Sequence, residues 1–285
     1  MSDRATSPTD SVILVTGATG TTGSRVVSRL AGLGHAVRAA GRRPVAPGDT
    51  RAVRFDWYDS ATHADALRGA DRMYLIPPIG EPDPAAVMLP FLRQARTGGV
   101  RRAVLLSSSA IPAGGPAVGQ VHSLVAELFD EWAVLRPSWF MQNFTGQQSH
   151  ADSIRTEGAI MSATGEGRIG FIDADDIAAV AVRALTDPSA PNTDLVMTGP
   201  EALNYDAVAA VISEVTGRPV SHRPLTYEQM RDRLATGMPE EFAALLAGLD
   251  RAISEGSENR VTDTVERLTG RPARSFRAYA ESAMR

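Results

Sequence analysis

Three glycines at positions 17, 20 and 23, within Val15-Thr-Gly-Ala-Thr-Gly-Thr-Thr-Gly-Ser-Arg-Val27, have the spacing of backbone that must lie against a charged group. Gly17 permits a tight turn, Gly20 clears space for a pyrophosphate, and Gly23 lets a helix pack closely on the preceding strand. Thr19, Thr21 and Thr22 add hydroxyls and backbone N–H groups beside the positive end of the following helix. The spacing is weak evidence by itself. Here it follows a β-branched run and opens a helical pattern, which is the context dinucleotide binding requires.

A second cluster specifies which dinucleotide. Binders of NAD usually carry Asp or Glu about 20 residues past the glycine loop, to accept from the ribose hydroxyls. This chain has Ala40-Gly-Arg-Arg43 there. A carboxylate would repel a 2′-phosphate, whereas a guanidinium pairs with it through two hydrogen bonds. Arg42 is expected to make that contact, with Arg43 or Arg38 assisting, and the expected cofactor is NADP(H). Asp56 and Trp57 are placed beside the adenine, and Ile76, Pro77 and Pro78 along the ribose-side wall. A turn aspartate or a loop proline would look the same.

Composition then removes chemistry. All 29 basic residues are arginine, so no lysine ammonium is available anywhere. Cysteine is absent, which excludes disulfides and thiolate catalysis. A net charge of −4 with mixed signs gives no global attraction to nucleic acid or an anionic membrane. Residues 1–10 are polar and are expected to form a disordered tail rather than a signal peptide. No apolar run reaches the roughly 18 residues of a membrane span, so the expectation is a soluble cytoplasmic protein. The five histidines are scattered and no metal site is expected. Asp173, Asp175 and Asp176 read as a helix cap, and Arg101-Arg102 as a solvated strand start. No G-x-S-x-G elbow occurs.

The elements that would position these residues alternate. Strands are expected at 12–16, 35–40, 52–55, 72–76, 102–107 and 132–136, with helices at 21–33, 85–96 and 121–129 between them. That rhythm implies an α/β fold with a doubly wound parallel sheet. Beyond Pro137 the pattern turns mostly helical, with helices expected at 145–155, 175–185, 205–215, 227–234, 240–253 and 275–284, and short strands at 159–161 and 195–198. The expected organisation is a nucleotide-binding domain over 11–150, with returning segments at about 171–200, and a smaller substrate-binding cap over 151–285.

"VTGATGTTG", the strand-two arginine, "YLIPP" at 74–78, "LLSSSA" at 105–110, "VLRPSWFMQNF" at 134–144 and "FIDADDIA" at 171–178 together resemble the NmrA-like group of atypical short-chain dehydrogenases. With "GPAVGQVH" at 115–122, the resemblance is strongest to the ergot-alkaloid reductases of secondary metabolism. It covers roughly residues 12–235 and implies a Rossmann domain, a small C-terminal substrate domain and a ligand cleft between them. The group also contains NADP-binding regulators without turnover, so a redox-sensing regulator is the alternative to an enzyme.

Ordinary short-chain dehydrogenases donate a proton from Tyr, whose pKa is lowered by a Lys four residues on. The segment "VGQVHSLVAELFDEW" has neither. Hydride addition to a plain ketone leaves an alkoxide that needs a proton. Addition to an iminium leaves a neutral amine, and a quinone or conjugated enone gives a delocalised anion that solvent can protonate. The expected reaction is therefore hydride transfer to an electrophilic small molecule, with catalysis resting on positioning.

His122 stands where the acid would be and is a candidate proton donor or substrate contact; it would otherwise bond a backbone carbonyl. Ser107, Ser108 and Ser109 end strand five, and Ser109 is the first candidate to donate to substrate or cofactor; alternatively these serines satisfy backbone groups. Trp139, Phe140, Met141, Asn143 and Phe144 form an apolar loop suited to a planar ligand, serving as pocket wall and packing seam. The partner is thus a small apolar molecule; the oligomeric state is left open.

Overall fold

The structure, a computed structural model, describes residues 11–43, 45 and 50–285; the polar tail at 1–10 lies outside them. The chain divides into two compact units. The first runs to Arg136 and returns over Ile177–Leu195; the second comprises Pro137–Asp176 and Val196–Arg285.

In the first unit, β1 (Val12–Val15), β2 (Ala36–Gly41), β3 (Arg51–Arg54), β4 (Ala70–Leu75), β5 (Arg102–Leu106) and β6 (Glu131–Pro137) alternate with α1 (Gly23–Gly32), α2 (His63–Leu67), α3 (Pro84–Thr97) and α4 (Val118–Leu128). The sheet order is β3-β2-β1-β4-β5-β6, with β8 (Thr193–Met197) at the far edge. All pairings from β3 to β6 are parallel. The strand order reverses between β1 and β4, and ligands of such sheets bind outside the carboxyl ends of the strands at that point. Buried strands and the inward stripes of α1 and α3 read clearly in the sequence because both bury Leu, Val and Phe on one face.

Arg102 departs from expectation. It is 1% exposed, not solvated. Its guanidinium pairs with Glu131 at 2.6 Å and donates to the carbonyls of Leu185 and Asp187 at 3.1 and 2.6 Å. Arg72 also donates to Leu185. Two strand-start arginines thus satisfy the orphan carbonyls ending α6 (Ala174–Thr186).

The second unit contains a two-stranded parallel sheet of β7 (Ala159–Ser162) and β9 (Ser221–Pro224) with α5 (Ser149–Glu157), α7 (Tyr205–Thr216), α8 (Tyr227–Ala235), α9 (Glu240–Ser254), α10 (Thr264–Thr269) and α11 (Phe276–Ala283). Its core gathers Phe144, Phe171, Tyr205, Ile253 and Phe276. α2, β9 and α10 were not expected; they are short, and β9 reads Ser-His-Arg-Pro without an apolar pattern. α5 starts at Ser149 rather than at 145, because residues 141–144 form a separate 3-10 turn.

Candidate active site

The glycine loop leaves β1 and is braced from both neighbouring strands. Thr16 Oγ1 accepts from the Ile76 N–H at 2.8 Å, and the Ala18 N–H donates to the Ala40 carbonyl at 3.1 Å. Gly17 has φ +60°, a left-handed conformation that favours glycine. A methyl group at Gly23 would stand 2.2 Å from the Gly17 carbonyl oxygen, so that glycine is enforced by packing. Thr19, Gly20 and Thr21 are exposed, and the amides of Thr19 and Thr21 have no backbone acceptor among the described residues. Those donors, at the start of a ten-residue helix, fit an anionic pyrophosphate. Thr22 differs: its hydroxyl is buried and accepts from Tyr74 Oη at 3.2 Å, so it fastens α1 to β4.

Arg42 and Arg43 follow β2, exposed and without a hydrogen bond or ion pair to any described residue. Arg38 is not an assistant. It is buried, donates to the Ala66 carbonyl at 3.0 Å and to that of Asp65, and pairs with the Asp65 carboxylate at 3.7 Å.

Beside β3, Asp56 Oδ1 accepts from the Tyr58 N–H at 3.1 Å, the work of a turn aspartate. Trp57 Nε1 donates to the Ile76 carbonyl at 3.1 Å and its ring packs edge-on against Phe55 and Phe91. That bond ties the β3 and β4 exits together. Ile76, Pro77 and Pro78 remain partly exposed on this edge.

At the end of β5 the three serines separate in role. Ser108 Oγ accepts from the Ala110 N–H at 3.3 Å, a local turn bond. Ser109, the first candidate donor, is 3% exposed, and its carbonyl accepts from Arg136 at 2.9 Å. Ser107 Oγ is buried without a hydrogen-bond partner among the described residues. An unsatisfied buried hydroxyl costs free energy unless a ligand supplies its partner.

His122 lies in the second turn of α4 and is 4% exposed, so it is not a surface histidine. Its Nδ1 has no partner, which also removes the carbonyl-bonded alternative at that nitrogen. Burial lowers its pKa; Asp194 opposes this and Arg136 reinforces it. The ring is therefore neutral at neutral pH and can donate only as an uncharged imidazole.

In the second unit, the loop after β6 turns its side chains in opposite directions. Met141 and Phe144 are 0% and 3% exposed and belong to the core, where Phe144 packs against Phe171, Phe276 and the ring of His150. They support the loop from beneath instead of lining it. Trp139, Phe140 and Asn143 remain partly exposed. Gln142 is the anchor that sequence reading missed. Its amide donates to Asp173 Oδ1 at 2.8 Å and its Oε1 accepts from the Ala174 N–H at 3.0 Å. Asp173 also accepts from the Asp175 N–H at 3.0 Å, as a cap, and pairs with Arg274 at 3.0 Å.

Histidines distant in sequence also meet here. His150 and His222 flank the Tyr205 ring at 5.4 and 5.6 Å. Ser162 Oγ lies 2.9 Å from His222 Nε2, and Asp206 Oδ2 lies 3.4 Å from His222 Nδ1. The order mimics a hydrolytic triad, but Ser162 is 0% exposed and shares its hydroxyl with Thr164, so the chain is a structural network. No group of acidic and histidine side chains among the described residues could hold a metal ion. No helix among them is long and apolar enough to cross a membrane.

Known proteins carry the same pattern. Residues 17–188 match the NAD(P)H-binding family and residues 124–275 the NmrA-like family. The chain is 47% identical over 269 residues to the Bacillus subtilis oxidoreductase YesF, covering 94% of this chain and 93% of that one. It is 38% identical over 274 residues to an agroclavine dehydrogenase of Claviceps fusiformis, covering 93% and 94%. The NADPH complex of a quinone oxidoreductase from Escherichia coli shares the fold with a TM-score of 0.82 at 22% identity, covering 96% and 100%. The chain belongs to the NmrA-like family. Within it, the protein is an NAD(P)H-dependent oxidoreductase.

Proposed function

We propose that the protein uses NADPH in preference to NADH and reduces an apolar, planar acceptor that is already electrophilic: an iminium, a quinone or a conjugated enone. The observation that carries this reading is the position on α4 where short-chain dehydrogenases keep their acid. It holds a buried, neutral His122, and the chain has no lysine to partner a tyrosine. Arg42 and Arg43, uncommitted at the end of β2, supply the guanidinium for a 2′-phosphate. The glycine loop and the Thr19 and Thr21 amides hold the pyrophosphate.

NADPH, when bound, supplies the hydride; the chain orients it and excludes water. Ser107, with an unmatched buried hydroxyl, donates to the acceptor's heteroatom or the nicotinamide amide. Trp139, Phe140 and Asn143 present the apolar surface and the single amide suited to a flat ring. An iminium product needs no proton, and a quinol or enolate takes one from solvent, so a neutral imidazole suffices. The name agroclavine dehydrogenase and the quinone activity of the E. coli protein agree with such acceptors.

Anaerobic incubation with NADPH and a panel of iminium salts, quinones, enones and plain ketones tests this. The expected outcome is loss of NADPH absorbance with the first three classes. Faster reduction of unactivated ketones, or no turnover of any class, overturns the proposal.

A further inference from the structure

Beyond the residues that meet ligand, one side chain organises the β5 exit. Arg136, near the end of β6, points its guanidinium along the turn that contains the serines. Its Nε donates to the Ser108 carbonyl at 3.3 Å and its Nη2 to the Ser109 carbonyl at 2.9 Å. Its Nη1 donates to Asp194 Oδ2 at 2.6 Å, on the edge strand β8. One planar fork thus spans two consecutive carbonyls and a carboxylate, a task the point charge of an ammonium cannot perform. The Ser107 N–H completes the frame by donating to the Leu135 carbonyl at 2.7 Å.

We infer that Arg136, held by Asp194, is a positioning residue for the reduction: it fixes the Ser107–Ser109 turn so that the Ser107 hydroxyl is presented in one orientation. The inference rests on the reading above, in which this turn meets the acceptor or the nicotinamide.

Arg136 from β6 and Asp194 from β8 also act on the charge of His122 in α4, in opposite senses, and the Trp132 ring lies 6.0 Å from the His122 ring between centres. Removing the guanidinium removes a force that disfavours the imidazolium, while removing the carboxylate removes one that favours it.

The test uses the full-length protein with Arg136→Gln, Arg136→Lys and Asp194→Asn. Each variant is measured for NADPH Kd by cofactor fluorescence, for kcat and KM with the best acceptor, and for His122 titration by NMR. Arg136→Gln is expected to lower kcat about tenfold to a hundredfold, the loss of hydrogen bonds from a charged donor, with NADPH Kd moving less than about threefold. Arg136→Lys recovers only part of kcat. His122 is expected to titrate higher in Arg136→Gln and lower in Asp194→Asn.

A folded Arg136→Gln with unchanged kcat, or with losses confined to NADPH Kd, overturns the positioning role. Parallel or absent His122 shifts overturn the opposed charge effects on the ring. The titration needs no acceptor, so a wild-type protein that reduces nothing on the panel sinks the functional reading separately. If Arg136→Gln does not fold, the more conservative Arg136→Lys and Asp194→Asn decide by the same criteria.

Discussion

The Gln142 amide donates to Asp173 Oδ1 at 2.8 Å, and the same carboxylate pairs with Arg274 near the C-terminus at 3.0 Å. One buried acid therefore joins the aromatic loop, the first turn of α6 and the last segment of the chain. Gln142→Ala leaves that acid with one fewer donor. The expected cost is about 2 kcal/mol in urea unfolding. It should come with a raised acceptor KM, while NADPH Kd stays near the wild-type value.

For Arg42, the measurement is cofactor selectivity. Arg42→Ala should weaken NADPH binding by about tenfold to a hundredfold, the worth of one charge-assisted pair, and leave NADH nearly unchanged. Arg38→Ala should behave differently, since that guanidinium holds the Ala66 and Asp65 carbonyls; it should lower Tm and affect both cofactors alike. Equal losses for both cofactors in Arg42→Ala would remove the phosphate assignment.

Gly23→Ala places a methyl group 2.2 Å from the Gly17 carbonyl oxygen, a backbone atom that cannot rotate away. The expected penalty is about 1–3 kcal/mol of stability, as for an overpacked core. A tenfold or greater rise in NADPH Kd (about 1.4 kcal/mol) should accompany it. Calorimetric Tm and titration with NADPH read the two effects separately.

Asp250 supplies a pH-dependent prediction. Its carboxylate is buried and accepts from the Ala163 N–H at 2.8 Å, yet burial raises its pKa to about 6 from 3.8. The folded state then binds a proton more tightly than the unfolded state. Above about pH 6 the charged carboxylate costs about 3 kcal/mol, and the cost disappears as pH falls toward 4. Asp250→Asn keeps an acceptor for Ala163, so it should raise Tm at pH 8 and lose that advantage near pH 4. His150 acts in the opposite sense: burial lowers its pKa to about 4, so stability falls as pH drops below its unfolded value of 6.5. A variant without advantage at pH 8 would show that the carboxylate is better solvated than its position suggests.

The sheet, its helices and the phosphate loop were legible because each rests on a local pattern: apolar runs of period two or 3.6, and glycines where a side chain cannot fit. Which arginine does what was not legible. Arg38, Arg42, Arg102 and Arg136 are chemically identical in sequence, and only tertiary placement makes two of them internal clamps, one a solvent-facing candidate and one a fork across the serine turn. The aromatic loop shows the same limit. Its 3-10 turn sends Met141 and Phe144 inward and leaves Trp139, Phe140 and Asn143 partly exposed, a choice that depends on Phe171 and Phe276 far along the chain. Gln142 carried no motif; its signal, an amide among apolar neighbours, becomes meaningful only once Asp173 is beside it.

The bracing of the glycine loop by Thr16, Ala18 and the Thr22–Tyr74 hydroxyl pair has a kinetic consequence. A nest shaped by its own scaffold needs no rearrangement to receive a nucleotide. Capture should therefore proceed as a single bimolecular phase whose observed rate climbs linearly with cofactor concentration and does not level off.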